Sequence, residues 1–354
     1  MVSPILTGAH FPPATPLLLG VAAATMIVAW LATGLVRSHA IRTAMLDIPN
    51  QRSSHTTPTP RGGGATIAVL VLLSTIAVAV TGWLPLGSAI AIGGGGAVVA
   101  GIGWLDDRHT VKASWRAAAH LCAAAWAVYW IGGVGHSPLD RLGALEVPLE
   151  TALAILAIAW MTNLYNFMDG IDGIAAVEAI FVGGVGAIVL LLSGASGLAV
   201  ICATIVGSSA GFLVWNRMPA RIFMGDVGSG FLGFVFATIA LSANRTTVVP
   251  TAVWILLLLA FLTDATITLV RRVARGDRWH LAHRLHAYQR LAQSGLSHAQ
   301  VVAWVAALDV FLAGLAIVAY TWPTLAWQST LLGVLLAVAS YWVVERRLGM
   351  WAAT

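Results

Sequence analysis

Long apolar runs alternate with short polar connectors from residue 16 to residue 344. About 20 helical residues cross the roughly 30 Å hydrocarbon core of a bilayer. On that length rule the pattern predicts eleven membrane helices, over 16–36, 64–83, 86–105, 115–132, 149–166, 174–193, 196–215, 229–243, 250–270, 299–321 and 325–344. The eighth is short for a straight crossing. No connector holds enough residues for a soluble domain, so residues 1–354 read as one all-α, polytopic membrane domain.

Composition sharpens this reading. The chain is 59% hydrophobic and only 9% charged, against roughly 25% charged in a soluble domain. Basic residues mark the cytoplasmic side of a membrane protein. With the N-terminus outside and the C-terminus cytoplasmic, seventeen of the 19 Lys and Arg fall on the cytoplasmic side, leaving only Arg141 and Arg245 opposite. An even number of spans destroys that partition. No basic segment precedes the first apolar run, so no cleavable leader is expected. Cys122 and Cys202 both lie within spans and are expected to pack rather than pair. The basic loops suit lipid headgroups or phosphates, and no nucleic-acid module is present.

The acids supply the chemical clue. Asp106 and Asp107 end the third span in GWLDDRHTVK, Asp169 and Asp172 follow the fifth in NLYNFMDGIDGIAA, and Asp226 follows the seventh in WNRMPARIFMGDVGSGFLG. The span order puts all five at one membrane face. Carboxylates crowded there repel unless cations or protons hold them, and hard oxygen ligands suit Mg²⁺, with Mn²⁺ as alternative. Glycines beside the acids permit sharp turns and close approach. Asp264 and Asp309 lie inside spans, where a carboxyl is costly unless paired. The tetraglycine Gly93–Gly96 is expected at a close helix contact.

These three motifs, with DIPNQRSSHTTPTPRGGG at residues 47–64, make the chain resemble the polyprenyl-phosphate N-acetylhexosamine-1-phosphate transferases, over about residues 47–300. The resemblance implies transfer of a sugar-1-phosphate from a UDP-sugar to undecaprenyl phosphate, with release of UMP, at the cytoplasmic face of a bacterial inner membrane. A homodimer is left open. It further implies that Asp226 and Asp169 ligate the metal and that one of Asp106 and Asp107 deprotonates or orients the lipid phosphate. Asn166, Asp169, Asp172 and Asn216 then shape the nucleotide-sugar pocket.

The remaining expected substrate contacts are Phe223, Arg61, Lys112, His283, Arg284 and His286. Phe223 suits stacking on uracil as well as an aromatic belt. Arg61, Lys112 and Arg284 suit phosphate, with His55, Arg278 and His280 as further polar groups in the same loops. HRLHAYQR departs from the tight histidine cluster of the peptidoglycan translocase branch and looks more like the O-antigen-initiating branch, which admits N-acetylglucosamine or a related 2-acetamido sugar. Two other classes fit less well. A CDP-alcohol phosphatidyltransferase carries D-x-x-D-G-x-x-A-R, but the ninth place here is Val177. A transporter places its ionisable residues near the midplane of related halves, which the one-sided acids do not resemble.

Overall fold

The computed structural model describes residues 14–49, 57–135, 145–277 and 283–351. Its helices are α1 (Thr15–Arg42), α2 (Ala65–Val80), α3 (Leu86–Ile90), α4 (Gly96–Arg108), α5 (Ala113–Ile131), α6 (Glu146–Met168) and α7 (Ile174–Leu192). They continue with α8 (Ser196–Asn216), α9 (Asp226–Thr246), α10 (Thr251–Leu257), α11 (Leu259–Ala274), α12 (Ala287–Gln293), α13 (His298–Thr321) and α14 (Ala326–Arg347). Two residues each of β1 (Leu46–Asp47) and β2 (Thr59–Pro60) pair antiparallel in the first polar connector, a ladder the apolar pattern does not predict.

Every predicted interval contains helix, and the lengths divide them. Among the described residues eight helices are long and apolar enough to cross a membrane, and a ninth is gained if α10 and α11 count together. α2 is apolar but short, at 16 residues. α5 carries Arg116 and His120, which dilute its apolarity. The eighth interval is longer than its apolar stretch suggested, because α9 begins at Asp226 and runs for 21 residues.

The interval 250–270 departs from the expected single span. It is two helices meeting at 72°. α11 carries Asp264, Thr268, Arg271 and Arg272 at helical spacing, a row that a straight lipid-facing span would expose to hydrocarbon. The bend turns the row toward α12 and α14. Arg271 pairs with Glu345 at 2.7 Å, and Asp264 accepts from the backbone N–H groups of Ala287 and Tyr288 at 2.9 and 3.1 Å.

The core sits around α8 and α9. Phe212 of α8 and Phe231, Phe234 and Phe236 of α9 are fully buried, with Tyr165 and Trp254 beside them. α1, by contrast, buries only Leu18, Ala29, Thr33 and Ala40 against the bundle and turns the rest of its apolar surface outward. The tetraglycine does lie at a tight contact. The chain widens into a π-turn over Ala91–Gly95, where Gly94 and Gly95 pack against Trp126 and Phe234.

Both intramembrane acids have found company. Asp264 serves α12, with His286 Nδ1 3.3 Å from its Oδ1. Asp309 of α13 faces Glu178 of α7, and both carboxyls are buried with no other partner among the described residues.

Candidate functional site

Three helix tips meet at one end of the bundle. Asp107, in the last turn of α4, is 2% exposed, and its two oxygens accept from the backbone N–H groups of Asp226 and Val227 at 3.1 and 3.2 Å. It thus caps α9 from another helix, satisfying two of the unpaired amides of a helix start with its carboxyl oxygens. Gly225 makes this approach possible. Its φ is +75°, and a Cβ there would collide with the Asp107 carboxylate, so the turn before Asp226 admits neither the conformation nor the bulk of another residue.

The same turn delivers Asp226 into an ionic cluster. Nη1 of Arg116, from the first turns of α5, lies 2.7 Å from Asp106 Oδ2 and 2.8 Å from Asp226 Oδ2. Asn166, in the last turn of α6, donates through Nδ2 to Asp226 Oδ1 and to Ser229 Oγ, both at 2.9 Å. Asp106 Oδ1 accepts from the Val111 N–H at 2.6 Å. Arg61 Nη2 approaches the Asp106 carbonyl at 3.4 Å. The strand before Arg61 is held in place by Phe223, whose N–H donates to Pro60 O and whose carbonyl accepts from Gly63 N–H.

Asp169 ends α6 and is half-buried at the edge of this cluster. Burial first, and then the negative charges of Asp226, Asp107 and Asp172, push its carboxyl well above the ordinary carboxylate range. A carboxyl in that condition takes up a cation readily, because the cation relieves the repulsion that otherwise favours a proton.

Asp172 and Asn216 occupy a different position. Asp172 Oδ2 accepts from Ala220 N–H at 3.0 Å, and the Asp172 N–H donates to His298 Nδ1 at 3.2 Å. Asn216 is buried; it accepts from Gly173 N–H and donates to Ile222 O, both at 2.9 Å. Both residues fasten the start of α7 to the loop before α9.

The polar loop before α13 folds as a strap over the end of α6. Tyr288 donates to the Phe167 carbonyl at 2.9 Å. Burial, followed by the charges of Asp264 and Asp169, raises its hydroxyl well above the usual value. His286 is buried against Asp264 rather than aimed into the acid cluster. Its ring lies 4.8 Å from that of His283. His283 is pushed down to about 3, by burial first and then by His286 and Arg272. Arg284 is half-buried, with its carbonyl accepting from Gln293 Nε2, and Lys112 is exposed at the start of α5. His55, Arg278 and His280 lie outside the described residues.

Asp106, Asp107, Asn166, Asp169 and Asp226 therefore share one centre, while the histidines stand in the neighbouring strap. Arg116, Ser229 and Tyr288 are site residues that the sequence does not single out. Arg116 is visible there only as one of many basic residues beside a span, and nothing in its spacing marks it as the partner of two acids. Among the described residues no three His, Cys, Asp or Glu side chains stand close enough to hold a metal ion by themselves. The donor chemistry still suits one. Asp106 and Asp226 each place an oxygen within 2.8 Å of a single cationic nitrogen, and Mg²⁺ commonly takes one or two carboxylates together with substrate phosphates.

Fold and site together define a multi-pass membrane protein with an oxygen-rich ionic centre at one end of its bundle. Residues 89–244 match glycosyl transferase family 4. The chain is 33% identical over 325 residues to the decaprenyl-phosphate N-acetylglucosaminephosphotransferase of Mycobacterium leprae (strain TN), covering 80% of this chain and 79% of that one. It is 30% identical to the Mycobacterium tuberculosis (strain CDC 1551 / Oshkosh) protein of the same name, over 83% of this chain and 80% of that one. A probable undecaprenyl-phosphate N-acetylglucosaminyl 1-phosphate transferase of Bacillus subtilis (strain 168) is 28% identical, over 77% of each chain. The chain belongs to this family of polyprenyl-phosphate N-acetylhexosamine-1-phosphate transferases and is an enzyme.

Proposed function

We propose that the protein transfers N-acetylglucosamine-1-phosphate from UDP-N-acetylglucosamine to a polyprenyl phosphate at the cytoplasmic face of a bacterial inner membrane. The product starts a lipid-linked glycan. The observation that carries this reading is the convergence of Asp106, Asp107, Asn166 and Asp226 at one helix-tip centre, where a lipid's phosphate and a soluble nucleotide can meet. Its support from relatives lies in their names, which specify N-acetylglucosamine and either a decaprenyl or an undecaprenyl acceptor.

In a single displacement, an oxygen of the lipid phosphate attacks the β-phosphorus of the donor. The bond between that phosphorus and the bridging oxygen breaks, and UMP leaves with the electron pair. Several negative charges crowd together in this reaction, so catalysis rests on positioning and neutralisation. Asp226 and Asp169 would hold a Mg²⁺ or Mn²⁺ ion, which would supply positive charge to offset that building on the leaving group. Asp106, whose Oδ2 is tied to a half-exposed side chain, orients the lipid phosphate or takes its proton. Asp107, both of whose oxygens serve α9, positions Asp226. Arg61 and Lys112 attract the phosphates, Phe223 stacks on uracil, and His283, Arg284 and His286 belong to the strap that closes over the donor. Asp172 and Asn216 hold the floor of the nucleotide pocket.

Purified protein incubated with polyprenyl phosphate, Mg²⁺ and a panel of UDP-sugars tests the reading. UDP-N-acetylglucosamine should release UMP and label the lipid, and Asp226→Asn should abolish both while expression is kept. Folded protein that releases UMP from none of the sugars overturns it.

A further inference from the structure

We propose that Arg116 is a built-in counter-ion: its guanidinium neutralises Asp106 and Asp226 together in the resting site and gives up Asp226 when a divalent ion binds. The inference rests on the transferase reading above, and it concerns how that same site is kept ready.

One nitrogen makes both contacts. Nη1 stands 2.7 Å from Asp106 and 2.8 Å from Asp226, so it bridges two carboxylates as a metal ion would, rather than pairing as a fork with one of them. Carboxylates held this close repel unless a cation or a proton accompanies them, and here a cation stands against both. That cation is the guanidinium.

The arrangement is also built for release. The Arg116 side chain is 33% exposed, whereas those of Asp106 and Asp226 are 14% and 29% exposed. An ion pair with that much access to water contributes little to stability, so an incoming divalent charge displaces it at small cost. The acids themselves have other anchors. Asn166 holds Asp226 through its second oxygen, the Val111 N–H holds Asp106, and Asp107 fixes the backbone beneath Asp226. Removing Arg116 from the bridge therefore leaves both carboxylates in place. The freed guanidinium, one turn into α5 and close to exposed Lys112, is then available for bidentate contact with a phosphate.

Mn²⁺ binding to the purified protein without substrates, read by the loss of the free-ion EPR signal, tests this. Arg116→Gln should bind Mn²⁺ about fivefold more tightly than the wild type, because the competing charge is gone. Lys112→Gln removes an equal charge from the same region without touching the bridge and should stay within about twofold. An Arg116→Gln affinity equal to or weaker than wild type, or equal tightening in Lys112→Gln, overturns the proposal. A second measurement uses the wild type alone: phenylglyoxal modification of Arg116, followed by peptide mass spectrometry, should accelerate on adding Mn²⁺. A rate that is unchanged or slower says that the guanidinium stays with the acids. Neither readout depends on turnover, so UMP release by the wild type continues to test the transferase reading separately.

Discussion

Asp107 and Asp106 are adjacent, yet the fold gives them different work. Asp107 is committed to two amides of α9, and Asp106 meets an arginine that has a route to solvent. Asp107→Ala should lower the melting temperature through loss of the cap, worth about 1 kcal/mol and up to about 2, and Asp107→Asn, which keeps one acceptor oxygen but sets an amide donor against the second N–H, should recover only part of it. Thermal unfolding in detergent decides this, and an unchanged alanine variant would remove the capping role. The five acids are legible as chemistry because the glycine-flanked Asp169, Asp172 and Asp226 and the adjacent pair Asp106–Asp107 stand out in an apolar chain. Their division of labour is not. It depends on which oxygen meets which amide across 119 residues of sequence, and no local spacing encodes that. Arg116 is hidden for a related reason, since a basic residue beside a span also marks topology.

Among the elements, α12 has little support of its own. It has seven residues, too few for a stable isolated helix, and it owes its place to Asp264 at its start and to the bond from Tyr288 to α6. His283 lies just before it with its imidazole pushed down to about 3. In the unfolded chain that group titrates near 6.5. The neutral ring therefore favours the folded strap: its contribution is complete above about 6.5 and is lost as pH falls toward 3, where the unfolded form gains a proton first. Amide exchange over residues 283–293, corrected for intrinsic rates, should speed up between pH 6.5 and 4, and His283→Gln should flatten that dependence. A strap equally protected at both pH values would show that His283 does not hold it. The helices α1, α6, α7, α8 and α13 can be read from apolar length alone. The bend between α10 and α11 cannot, because neither Gly nor Pro stands at Leu258 and the cause lies in a polar row seeking distant partners.

For the whole molecule, the contacts fix which ends lie together. The last turns of α1 reach the loop beside the acids, with Arg37 Nε donating to Arg221 O at 3.1 Å. The last turn of α14 reaches the strap, where Glu345 meets Arg290 at 2.7 Å. The start of α1 and the end of α14 therefore point to opposite sides of the bundle. In the proposed orientation the acids and the end of α14 face the cytoplasm. In a background with Cys122 and Cys202 replaced, an impermeant maleimide should label Thr81→Cys on intact cells, and should label Ser294→Cys only after permeabilisation. The reverse pattern inverts the molecule and removes the nucleotide from reach.

At the acid end, Gly64 and Gly228 bring the start of α2 so close against α9 that a Cβ on Gly64 would collide with the Cα of Gly228. That seam is backbone against backbone, whereas the described residues of the strap are tied down through side chains. The two halves of the reaction therefore sit on unlike foundations: a welded floor under the chemistry and an unfastenable clasp beside it. On the role proposed for the strap, a redesign aimed at another sugar begins in the clasp, where rewriting a few residues leaves the weld untouched.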